Sequence, residues 1–104
     1  MDYTDVMTGA VNETFCQMNE FIITGYKLKV AGDSPEIGVF FKNTATGTMT
    51  KAHSLAENSS SKLIGIFPGI SDATFKIVIK TQHSGGGKFL KEVRTIESEF
   101  TIKR

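Results

Sequence analysis

Residues 73–102 constrain what this chain can fold into more than any other stretch. From 73 to 82 the sequence alternates at period two, which places Phe75, Ile77, Ile79 and Thr81 on one face of a strand. Ser84, Gly85, Gly86 and Gly87 follow, and glycine reaches positive φ at little steric cost, as a tight reversal requires. The alternation resumes over 88–92 and continues over 95–102, with Ile96, Phe100 and Ile102 on one side. The pattern predicts a C-terminal β-hairpin. A lone hairpin is marginal in water, so the upstream chain must supply more sheet and a second layer.

The upstream chain offers the material for both. A brief edge strand is expected at 6–8, a turn at Gly9 and Ala10, and another short strand over 12–16. Residues 20–24 form a compact run of β-formers, and Gly25 after them signals a bulge or a close backbone approach. Tyr26, Leu28 and Val30 alternate with Lys27 and Lys29, which predicts a half-buried strand ending at the turn Gly32-Asp33-Ser34-Pro35. The next strand spans 36–42, with Val39 and Phe41 on one face and Phe40 on the other. A polar strand over 48–53 and a helical turn over 52–57 follow, the latter too short to stand alone. Residues 63–67 are apolar on both faces, as a central strand would be, and Pro68-Gly69 ends it. Seven or eight short strands with no convincing helix point to an all-β sandwich of two antiparallel sheets. The expected core is Phe21, Ile23, Leu28, Val39, Phe41, Leu63, Phe67, Phe75, Ile77, Ile79, Phe100 and Ile102.

Composition agrees with one domain over residues 1–104. Hydrophobic residues make up 39% of the chain, with eight Phe and no Trp, enough to build a core without staples. No apolar run is long enough to span a membrane, and the acidic start lacks the pattern of a secretory signal. The single cysteine, Cys16, forms no internal disulfide and favours a reducing compartment. Net charge is only +1 but uneven. Residues 1–40 set two lysines against six acids, which is −4, and residues 41–104 set ten basic groups against five acids, which is +5.

Motifs that would carry chemistry fail their own tests. Gly85-Gly86-Gly87-Lys88 lacks the glycine and the hydroxyl of a phosphate loop, having Gln82 and Phe89 there, and no helix pattern follows. His53, His83 and Cys16 are far apart in sequence, with no metal-ligand or nucleophile–base spacing, so Cys16 is read as a small buried hydrophobe. Asp33 and Glu36 flank the proline turn and are too few for a calcium loop. Asn12 and Asn58 each begin a glycosylation-acceptor pattern that is common by chance. No cofactor, metal or catalytic residue is expected. The one surface singled out is the basic group Lys76, Lys80, Lys88, Lys91 and Arg94 on the final hairpin, where Lys76 and Lys80 share a strand face.

Several segments together resemble one family. They are Ile23-Thr24-Gly25, the run KLKVAGDSP over 27–35, Gly38-Val39-Phe40, Asn58 with Ser61-Lys62-Leu63, Phe67-Pro68, Thr81-Gln82, and Leu90-Lys91-Glu92 with Arg94-Thr95. The likeness is to a bacterial family of unknown function with an Ig-like fold, similar to TIG-type domains and found carboxy-terminal to an HU-like DNA-binding domain. Val93, Ser60 and His83 depart from the family's proline, proline and aromatic, which bears on loop stiffness more than on fold. The resemblance implies an Ig-like sandwich that is either the carboxy-terminal domain of a longer protein or a stand-alone relative. It implies a non-enzymatic interaction or assembly module, meeting protein partners (itself or others) through strand edges or loops. DNA would be met only through a companion domain, with a cytoplasmic, nucleoid-associated location and no membrane. The alternative is a carbohydrate- or surface-binding module of an exported protein.

Overall fold

The computed structural model describes residues 1–16, 18–52, 55–70, 73–83 and 88–103. Within them lie nine strands: β1 (Asp2–Asp5), β2 (Glu20–Thr24), β3 (Gly38–Asn43), β4 (Met49–Lys51), β5 (Glu57–Asn58), β6 (Lys62–Ile66), β7 (Thr74–Thr81), β8 (Arg94–Glu97) and β9 (Ile102–Lys103). They form two antiparallel sheets, one ordered β1-β2-β6-β5 and the other β4-β3-β7-β8, with β9 also paired to β7. The expected two-sheet all-β architecture is what the chain adopts.

The core sits between the sheets because alternation sends every second side chain inward. Phe75, Ile77, Ile79 and Thr81 of β7 are buried, and so are Val39 and Phe41 of β3, Phe21 and Ile23 of β2, and Leu63 of β6. Eleven of the twelve expected core residues are buried, and the twelfth, Phe100, is half-buried against the others. Tyr3 of β1 and Phe15 of the irregular segment that follows it join them. A run of ring contacts binds the sheets together: Phe15 stacks on Phe67 at 4.2 Å, Phe67 meets Phe41 at 4.3 Å, and Phe41 meets Phe21 edge-on at 5.4 Å. Such pairs add about 0.5–1.5 kcal/mol each beyond their burial.

Four local expectations need correction. The first strand is Asp2–Asp5, not 6–8, because Asp5 closes a turn there. Its carboxylate accepts from the Thr8 backbone N–H and hydroxyl, and its carbonyl accepts from Gly9 at 2.7 Å. Residues 12–16 form no strand either. Asn12 has φ 57° and its side-chain oxygen takes the Tyr3 N–H at 2.7 Å, leaving a single bridge between Thr4 and Val11.

The alternation over 26–30 does not yield a strand, because Lys27 has φ 54° and turns the chain. Leu28 still buries, but Tyr26 is 91% exposed. Backbone groups of the segment bond to the Ser60 carbonyl and to the Asn58 side chain instead of to a ladder. In the C-terminal hairpin, β7 pairs with β8 as expected, yet 88–92 is loop, and Ser98 divides β8 from β9. The Ser98 hydroxyl takes the Ile77 N–H and donates to the Phe100 carbonyl, which forces the break. The glycine turn at 84–87 lies outside the described residues, as does the centre of the helical turn expected over 52–57, whose described flanks are not helical.

Candidate functional site

Register fixes which side chains share an outer face, since residues directly opposite across a pair project to the same side. On the second sheet Lys42 lies opposite Lys76 and Met49, Phe40 opposite Val78 and Lys51, and Gly38 opposite Lys80. Val78 lies opposite Glu97, Lys80 opposite Thr95, and Thr74 opposite Lys103. All of these face away from the core. The outer face therefore carries Lys42, Lys51, Lys76, Lys80 and Lys103 against Glu97, five positive charges and one negative, or +4.

Local contacts shape this surface. Phe40 is half-buried at its centre, and the Lys80 ammonium stands 5.8 Å from the Phe40 ring centroid, within cation–π reach. Lys76 pairs with Glu97 at 3.4 Å, with the two side chains 38% and 42% exposed, so the pair contributes little stability. The Lys51 stem lies across Gly38, where φ is +153° and a Cβ would come 2.7 Å from Lys51 Cε.

The first sheet differs. Its outer face carries Asp2, Glu20 and Glu57 against Lys62, three negative charges and one positive, or −2, around Ile22, Ile64 and Ile66. The acidic and basic halves of the sequence thus reappear in part as two opposed faces.

Of the five basic residues singled out from sequence, Lys76 and Lys80 lie together on the second sheet. Arg94 does not join them. It sits opposite Thr81 on the inward side of β8, and its guanidinium donates from Nη2 to the Lys27 carbonyl. Lys88 and Lys91 are exposed in the loop beyond β7, off the sheet. Lys42, Lys51, Lys103 and Phe40 escaped sequence reasoning. Even spacing from Phe40 to Lys42 was visible, but the neighbouring strand was not.

The remaining candidates are dispersed. Cys16 is partly exposed and donates from Sγ to the Asp5 carboxylate at 3.1 Å, so it acts as a polar partner and not as a plain hydrophobe. Burial, reinforced by the nearby Asp5 and Cys16, pushes the Tyr3 phenol well above its ordinary range. His83 lines a cleft of about 780 Å³ together with Tyr26, Lys27, Lys29 and Asn58–Ser61. His53 lies outside the described residues. Asn58 spends both amide atoms on Val30, at 2.8 and 2.7 Å, and Asn12 spends its own on Tyr3 and Asp2. Among the described residues no three of His, Cys, Asp and Glu gather as a metal site, and no helix is long and apolar enough to cross a membrane.

Two antiparallel sheets packed face to face around one core define a β-sandwich of Ig-like type. The family described as "Domain of unknown function (DUF4469) with IG-like fold" matches residues 1–96, and the chain belongs to that family. Among solved structures it is similar to a protein described as a "Putative bacterial DNA binding protein" from Bacteroides vulgatus. The two are 32% identical, with a TM-score of 0.89 over 99% of this chain. The chain spans 45% of that protein, so more than half of it lies outside the shared region. No curated protein matches the chain.

Proposed function

We propose that this chain is a non-enzymatic interaction and assembly module that works beside an HU-like DNA-binding domain in a nucleoid-associated, cytoplasmic protein. The observation that carries this reading is the match over nearly the whole chain to less than half of a protein described as DNA binding. The unmatched part of that protein has room for a separate DNA-binding domain. Partner proteins would add to the sheet edges. The second sheet ends in β4 and β8, and no further strand pairs beyond either among the described residues. The β1 edge is closed instead by the return of residues 10–12, through Asp5 to Ala10 and Asn12 to Tyr3.

Intact-mass analysis and nucleoid sedimentation of the native protein test the proposal together. The expected result is a polypeptide that carries a DNA-binding domain and leaves the nucleoid fraction on nuclease digestion. An exported polypeptide with no nucleoid association would overturn it.

A further inference from the structure

Lysine commonly blunts sheet edges against unwanted pairing. Lys42, Lys76 and Lys80, however, lie on β3 and β7, the interior strands of the order β4-β3-β7-β8, where there is no edge to protect. Lys42 and Lys76 are directly opposite each other, an arrangement of like charges that opposes pairing. Glu97 neutralises only Lys76, and it forms the one ion pair on this face among the described residues. At the Lys42–Lys76 pair, charge sits where strand pairing alone would disfavour it. Phe40 and Val78 between the lysines give the face an apolar floor, with Phe40 still partly accessible.

We propose that the outer face of the second sheet is a sequence-independent contact surface for the phosphate backbone of duplex DNA, centred on Lys42, Lys76 and Lys80. Charge complementarity names a polyanion, and the choice of DNA rests on the function proposed above, which places the domain next to a duplex. Lys76 and Lys80 are four residues apart on one strand, about 13 Å at the rise of a β-strand. That length spans roughly four nucleotides of a DNA strand, so several phosphates fall within reach of the flexible lysine stems. The acidic outer face of the first sheet directs the duplex to the lysine side. Among the described residues no helix is available to enter the major groove, so the contact adds avidity to a neighbouring DNA-binding domain without adding sequence preference.

Titration of this domain with a labelled duplex across a salt series tests the proposal. At about 50 mM salt a dissociation constant on the order of tens of micromolar is expected, weakening roughly a hundredfold by about 200 mM if four phosphates are engaged. Replacing Lys42, Lys76 and Lys80 together with Glu should weaken binding at least ~10-fold and flatten the salt slope. A control triple change of Lys27, Lys29 and Lys62 to Glu alters net charge equally, and its effect should stay below about threefold, as a face-specific contact requires. Glu97→Gln releases Lys76 and should tighten binding. Circular dichroism verifies each fold, and Gln replacements at the same three lysines serve if the Glu variant does not fold. No binding at low salt, unchanged binding by the face variant, or equal loss in the control overturns the proposal. Nucleoid association of the native protein alongside any of those results would sink the lysine face and spare the module. Sub-micromolar binding by the isolated domain near physiological salt, lost in the face variant, would support the face and overturn the reading that DNA is met through a companion domain.

Discussion

The two sheets follow one rule on their inner faces and part company on their outer ones. Inside, each presents aromatic and aliphatic groups to a common core. Outside, the first sheet sets Ile22 directly opposite Ile64, a β-branched pair of the kind that stabilises strand pairing, and surrounds it with a net negative rim. The second sets Lys42 directly opposite Lys76, a pair of the kind that weakens it. The second outer face thus sets one unfavourable like-charge pair beside the favourable pair of Phe40 and Val78. Inner faces answer to packing, so an outer pair that works against its own sheet is where function is to be sought.

Both faces rest on one core, and the largest expected effect tests that shared footing. Phe75 packs edge-on to Phe15 at 5.4 Å and to Phe67 at 5.9 Å. Phe75→Ala should cost about 3–5 kcal/mol through lost burial and the cavity left behind. A denaturation midpoint matching that of the parent would separate the faces from a shared core and break the comparison.

A smaller loss is expected where the second sheet meets its loops. Gln82, just past β7, accepts at Oε1 from the Asp33 and Ser34 N–H groups at 3.0 and 2.9 Å and donates from Nε2 to the Leu90 carbonyl at 2.9 Å. Gly32 lies against this amide with φ +144°, and any side chain there would collide with it. Gln82→Ala strands these partly buried groups and should cost about 2–3 kcal/mol in urea unfolding. Because Gln82 lies off the lysine face, DNA binding by the folded variant should not change. A loss of binding at full folding would enlarge the proposed surface.

Alkaline pH probes the first sheet. The Tyr3 phenol is held above its ordinary pKa near 10, so the folded state keeps a proton that the unfolded state releases. Its stabilising effect is complete below pH 10 and is lost above it, at up to about 1.4 kcal/mol per pH unit. Tyr3→Phe should flatten that fall between pH 10 and 11. An unchanged slope would remove Tyr3 as its source.

Most of the sandwich was legible in the sequence because β2, β3, β6 and β7 bury alternate residues, and alternation is a period a reader can count. Where the fold departs, polar side chains and single backbone conformations decided. Asp5 closes a turn, Ser98 interrupts a strand, and Lys27 adopts a positive φ that nothing about a lysine announces. The lysine face was half legible. Even spacing places Lys76 and Lys80 together, but Lys42 and Lys51 join them only through the order β4-β3-β7, which local pattern does not encode. Arg94 was misplaced for the same reason, since its register opposite Thr81 turns it inward.

The smallest effect is the most discriminating. If the lysines of the second sheet are kept for an anion and not for pairing, relieving the Lys42–Lys76 opposition should make the domain more stable and less able to bind. Lys42→Glu turns a like-charge pair into an opposite-charge pair across interior strands, a gain of about 0.2–1 kcal/mol in urea unfolding. The same change should weaken duplex binding several-fold, as losing one phosphate contact and adding a repelling charge requires. Lys62→Glu on the first sheet has no lysine directly opposite it, only Thr24, so it should leave duplex binding unchanged without that gain in stability. Measured together, the two variants separate the faces. Lys42→Glu lowering stability would mean that this lysine serves the sheet, and the contrast between the two outer faces would then be one of solvation and not of function.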